Sequence, residues 1–231
     1  MNYIFSSGLP RSGTALLTKA LYESDQASLA VGPNIEIYRF LRNKLIKKYG
    51  SPSLKKKNKV FSPLQDYFGS DENQELLKLV LNANLNEKFD KKDWKLFLHK
   101  SQTRIDHDSE DLIKYFPSLK ANSFKKIILN LIKIIKKKRK LRKTFKNKKL
   151  YYGFHESWNI CSLKTLAHSF PKAKFFVVIR DPRSVYASLS KNAEKRPELR
   201  VQLLSLCRQF RKYVILSNYF LSLPIFKKRL M

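Results

Sequence analysis

The stretch SSGLPRSGTALLTKAL, Ser6 to Leu21, places glycine, hydroxyl and guanidinium groups at a spacing suited to holding an anion. A loop that cradles a nucleoside triphosphate with magnesium ends in Gly-Lys-Ser/Thr. Here the corresponding end is Gly13-Thr14, and Arg11 stands two residues before the glycine. An arginine brings planar, permanently charged donors that match anionic oxygens. Gly13 lets the backbone approach an anion without a Cβ in the way. The amides of Gly13, Thr14 and Ala15 and the hydroxyls of Ser12 and Thr14 are then candidate donors. A second cationic cluster is Arg180-Asp181-Pro182-Arg183, with Ser188 eight residues after Arg180.

Both clusters follow apolar runs, and the runs explain how they are positioned. Tyr3–Ser7 has the length and composition of a buried parallel strand. Ser12 to Tyr22 carries Leu16, Leu17, Ala20 and Leu21 at helical spacing. A strand, a glycine turn and a helix in that order give unpaired amides at a helix start. The run KFFVVI, Lys174–Ile179, is the strongest strand signal and is expected to be buried on both faces. Pro182 suits the first turn of a helix running through Val185 to Lys191.

Further strands are expected at Leu150–Phe154 and Trp94–Leu98. Helices are expected at about 35–49, 73–85, 162–170 and 201–221. Phe124 to about Lys149 has an apolar stripe of Phe124, Ile127, Ile128, Leu131, Ile132 and Ile135, with lysines opposite and a basic tail. Alternating strands and helices imply an α/β protein. Its expected form is a P-loop-like three-layer fold, a central parallel β-sheet flanked by helices, with ligands at the carboxyl ends of the strands. The chain is expected to form a single domain over residues 1–231, with the basic amphipathic helix as an insertion around 120–149.

Together the two clusters resemble the sulfotransferases that use 3′-phosphoadenosine 5′-phosphosulfate (PAPS). In that family a loop of the type PRSGTT binds the 5′-phosphosulfate. An arginine followed eight residues later by a serine binds the 3′-phosphate. The resemblance covers about 35 residues at the start and about 40 from Tyr151 to Lys191. It implies donor contacts from Pro10, Arg11, Ser12, Gly13, Thr14 and Ala15, and from Arg180 and Ser188. Ala15 stands where the family often has a second threonine, so one contact is expected to be lost there. The sequence also lacks the RKGxxGDWK element of the cytosolic branch and the acidic YEDL-type element that often follows.

The resemblance implies PAPS as co-substrate, no metal, and an in-line sulfuryl transfer to a hydroxyl or amine. Such a transfer needs a base within hydrogen-bond reach of the acceptor. Glu36 is the first candidate, because some branches keep a glutamate after the first loop. His155, at the end of the strand before KFFVVI, is the second, and Glu156 ranks below both. The acceptor class stays open among carbohydrate, lipid, small alcohol and peptide.

The 231 residues include 48 Lys and Arg against 18 Asp and Glu, a formal net charge of +30. Lysine is spread along the whole chain, so much of this excess reflects composition. Eleven of the seventeen residues from Lys133 to Lys149 are Lys or Arg, enough for salt-dependent contact with nucleic acid or an anionic membrane surface. Two cysteines make no disulfide framework. The four histidines do not fall at metal-ligand spacings. The first loop begins within ten residues of the start, leaving no room for a signal peptide, so a cytoplasmic protein, at most peripheral to a membrane, is expected. A homo-oligomer is also open. Two other functions compete: an atypical P-loop nucleotide kinase, and a basic nucleic-acid or membrane-binding module. The kinase lacks its lysine and an acid after FFVVI.

Overall fold

The computed structural model describes residues 2–23, 27–31, 77–78, 81–82, 123–142, 150–157, 159–195, 197 and 201–231. Strand β1 (Asn2–Gly8) leads through a turn into helix α1 (Thr14–Glu23), followed by β2 (Ala27–Val31). Helix α2 (Phe124–Arg142) precedes β3 (Tyr151–His155). A short 3₁₀ turn at Asn159–Ser162 opens helix α3 (Leu163–Ser169). Strand β4 (Lys174–Val178), α4 (Pro182–Lys195) and α5 (Leu203–Ser222) follow. Glu36 and the expected elements at 35–49 and Trp94–Leu98 lie outside the described residues. Of the helix expected at 73–85, residues 77–78 and 81–82 are described, and they are helical.

The strands form one parallel sheet in the order β2-β3-β1-β4. From β1 the chain moves past β3 to β2, and later it crosses to β4 on the other side. Right-handed crossovers in opposite directions place their helices on opposite faces. The core divides accordingly. Phe5, Phe154 and Phe175 point to the face covered by α2, α3 and α5. Ile4, Ala27 and Leu29 point to the other, with Leu21 of α1 packed on them. The expected three-layer α/β architecture is thus present.

Helix α2 forms despite its lysines because its apolar stripe packs into the core. Phe124, Ile127, Ile128, Leu131 and Ile132 are all buried, while Lys125, Lys126 and Lys133 stay exposed. Each such side chain contributes about 2 kcal/mol on leaving water. The Ser123 hydroxyl accepts the Lys126 amide at the helix start, as an N-cap should. Lys136 lies over the Tyr152 ring, at the beginning of β3 and away from the strand's carboxyl end.

Three differences from expectation have physical causes. The five residues Ala-Ser-Leu-Ala-Val of β2 carry little strand propensity, and they are a strand because β3 pairs with them. In β4 only Phe175 is fully buried, against the expectation of burial on both faces. The strand lies near the sheet's edge, covered there by a three-residue segment. That segment is the basic tail after α5. The Phe175 amide donates to the Arg229 carbonyl and the Val177 amide to the Met231 carbonyl, at 2.7 and 2.8 Å. The Arg229 guanidinium donates to the carbonyls of Ala167, Phe170, Ala173 and Ile225. Two of these belong to the end of α3, where carbonyls lack helical partners.

Candidate functional site

The carboxyl ends of β1 and β4 are neighbours, and each releases a loop toward a helix. Parallel α/β sheets bind ligands where adjacent strands send their connections opposite ways. After β1 the Ser12 amide donates to the Leu9 carbonyl, which closes the turn. Leu9 is buried in the core and anchors the loop from below. Arg11 and Gly13 both have left-handed backbone, with φ of 68° and 96°. Only glycine adopts this readily, so Arg11 sits at some conformational cost. The Gly13 carbonyl accepts the Leu17 amide and opens α1. A Cβ at Gly13 would meet no described residue within 4 Å. Gly8, in contrast, is packed tightly: a Cβ would come within 2.4 Å of the Thr14 methyl.

After β4, Asp181 caps α4. Its Oδ1 accepts the Arg183 amide at 2.8 Å, and Pro182 takes the first helical position. The Arg183 side chain returns to the same carboxylate, with Nη2 2.6 Å from Oδ2. These hydrogen bonds hold the Asp181 carboxyl at about 2. Arg183 is therefore engaged in the cap. Arg180 is not: its Nη1 donates to the Arg11 carbonyl at 3.1 Å. The Arg11 Nε donates to Ser188 Oγ of α4 at 3.0 Å. The two loops interlock, each holding the other. Among the described residues, neither Arg11 nor Arg180 pairs with a carboxylate.

The structure thus brings Arg11, Ser12, Gly13, Thr14 and Ala15 together with Arg180 and Ser188, and Pro10 sits exposed on the same turn. Arg11 lies closer to the second cluster than its place in the first loop suggested. Ser12 Oγ is buried and has no partner among the described residues. A buried hydroxyl left without a partner is costly unless a ligand or water completes it. Among the described residues, two guanidinium groups without carboxylate partners, a buried hydroxyl without a hydrogen bond and the start of α1 form a site suited to anionic groups.

His155 ends β3 next to β1, and it is 6% exposed. Its Nδ1 shares a hydrogen bond with Ser6 Oγ at 2.9 Å. Burial lowers its pKa to about 4. The ring is neutral at pH 7, and a base this weak gains little from accepting a proton there. Ser6 had no signal of its own in the sequence; only its register opposite His155 reveals the pair. Glu156 is buried beside it, and its amide donates to the Ser6 carbonyl. Among the described residues no group of three or more His, Cys, Asp or Glu could hold a metal ion. No described helix is long and apolar enough to cross a membrane.

The burial of His155 predicts a pH dependence of stability. In the unfolded chain the ring titrates near 6.5, and in the folded protein near 4. Between those values the unfolded chain takes up a proton that the folded one refuses. Stability should fall as pH drops through that window, by about 3 kcal/mol from this residue alone. Urea denaturation at several pH values checks it: His155→Gln should remove that portion of the decline. Identical declines in both proteins would contradict the assignment.

These features define a three-layer parallel α/β protein with cationic groups at the carboxyl ends of neighbouring strands. Residues 4–216 match the model of the sulfotransferase family, and the chain belongs to that family. Sulfotransfer is the family's general activity, and the protein is in that sense a transferase. No curated protein and no solved structure matches the chain.

Proposed function

We propose that the protein transfers a sulfuryl group from PAPS to a hydroxyl or amine of an acceptor. The observation that carries this reading is the pair of arginines, Arg11 and Arg180, drawn from two loops and without carboxylate partners among the described residues. In the proposed complex Ser12 and the amides of Gly13, Thr14 and Ala15 hold the phosphosulfate. Arg180 and Ser188 hold the 3′-phosphate, with Arg11 between the two groups. The site needs no lysine or magnesium, because the cation charge comes from the arginines.

During transfer the acceptor oxygen or nitrogen bonds to sulfur as the sulfur–oxygen bond to the 5′-phosphate breaks. The leaving group is adenosine 3′,5′-bisphosphate. The acceptor's proton passes to the base, proposed as Glu36, with His155 the second candidate. Negative charge on the departing phosphate is met by the loop amides and Arg11. Stabilisation of this kind is commonly the largest contribution in group transfer.

Removing one charged contact tests the arrangement. Arg180→Ala should weaken adenosine 3′,5′-bisphosphate about thirtyfold, the loss expected for a charge-assisted hydrogen-bonding group. Arg183→Ala, which removes the guanidinium bound to Asp181, should change it far less. Equal losses in the two variants would show that the effect is a general one of surface charge.

A further inference from the structure

Ser7 and Gly8 are the last residues of β1, and Ser7 meets α5 just before the loop leaves the sheet. Ser7 Oγ donates its single proton to the Ser157 carbonyl at 2.9 Å. The Ile160 amide donates into Ser7 Oγ at 3.0 Å. Tyr213 Oη of α5 lies 3.0 Å from the same oxygen. Since the serine proton is already used, the phenol is the donor in this pair. The Gly8 backbone dipole also acts on the Tyr213 oxygen. Donors therefore run in one direction, from Tyr213 to Ser7 to Ser157.

Tyr213 is 1% exposed and its ring belongs to the main core. Burial pushes its phenol well above the usual range, so it stays protonated and able to donate. A phenylalanine ring would fill the same space. The hydroxyl's bond to Ser7 lies at the root of the loop. Helix α5 also packs against α4, which carries Ser188.

We infer that Tyr213 is a positioning residue for the anion loop: its hydroxyl fixes where Gly8 leaves the sheet and thereby aims the loop amides at the donor. One helix then backs both halves of the site, α4 by packing and the first loop through Tyr213. The ligand consequence rests on the donor reading above. The structural consequence, a loop held at its root, does not.

The test compares Tyr213→Phe with Arg229→Met. The second variant removes hydrogen bonds at the opposite end of β4 and lowers stability without touching the loop. Two quantities are measured on folded protein, well below either melting temperature. One is amide hydrogen exchange of the peptide covering Ser6 to Leu16. The other is the dissociation constant for adenosine 3′,5′-bisphosphate. Tyr213→Phe should speed loop exchange about tenfold and weaken the bisphosphate by a similar factor, as the loss of one buried partner implies. Arg229→Met should leave both near wild type. If Tyr213→Phe matches Arg229→Met in both, the hydroxyl is structural only and the inference is overturned. If the wild type does not bind the bisphosphate, the donor reading fails, and the exchange comparison alone decides the role of Tyr213. Should Tyr213→Phe not fold, Ser7→Ala removes the Tyr213 bond together with those to Ser157 and Ile160, and loop exchange and bisphosphate affinity near wild type in that variant would overturn the inference.

Discussion

Gly153→Ala is expected to cost at least about 3 kcal/mol, the upper part of the range for overpacking a well-packed interior. Gly153 lies in β3, an inner strand, opposite Ile4 of β1. A Cβ at this position would come 1.5 Å from the Ile4 carbonyl oxygen and 2.7 Å from its carbon. These are backbone atoms of the neighbouring strand, so no side-chain rotation relieves the contact. The two strands must separate, which strains the register Phe5↔Phe154 and Ser6↔His155 just beyond it. The site should suffer with the fold, because β1 carries the first loop. Thermal melting of wild type and variant decides the matter. A melting temperature within a degree or two of wild type would mean that the strands pass each other more loosely than the structure indicates.

The second large effect concerns catalysis. Glu36→Gln should lower turnover by roughly 10²- to 10⁴-fold, the usual cost of losing a general base. Donor affinity should stay close to wild type, since the substitution keeps size and removes only proton acceptance. His155 is the weaker rival because burial drives its pKa to about 4 and Ser6 occupies its Nδ1. His155→Asn is therefore expected to act mainly through stability. Single-turnover assays on both variants, with bisphosphate affinity as the control for loop integrity, separate the two roles. Should Glu36→Gln keep more than about a tenth of wild-type turnover, outside the range for a lost base, Glu36 is structural and His155 becomes the first candidate.

What the sequence revealed follows the reach of each interaction. The first loop was legible because its signals are local: an apolar strand, Gly13, and leucines at helical spacing within some twenty residues. The α2 stripe was legible for the same reason. The strand order β2-β3-β1-β4 was not, since it depends on which distant strands pair. Strand β2 and the edge segment 229–231 escaped notice because each is too short to carry a pattern and exists by pairing with a neighbour. Arg180 and Arg183 looked alike in sequence. Their difference arises from Asp181, which caps α4 and takes the Arg183 guanidinium. Tyr213 gave no local signal at all; its partner Ser7 lies about two hundred residues away in the chain. Glu36 remains a proposal from resemblance, outside the described residues.

In the proposed function two cationic loops hold a nucleotide carrying a separate 3′-phosphate. Calorimetric titration of the wild-type protein with adenosine 3′,5′-bisphosphate, ATP and AMP, each with and without magnesium, tests it most directly. The account predicts that the bisphosphate binds most tightly, that AMP is weakened by loss of the 3′-phosphate, and that magnesium makes no difference. ATP binding as tightly as the bisphosphate, and only with magnesium, would contradict it and point to a kinase.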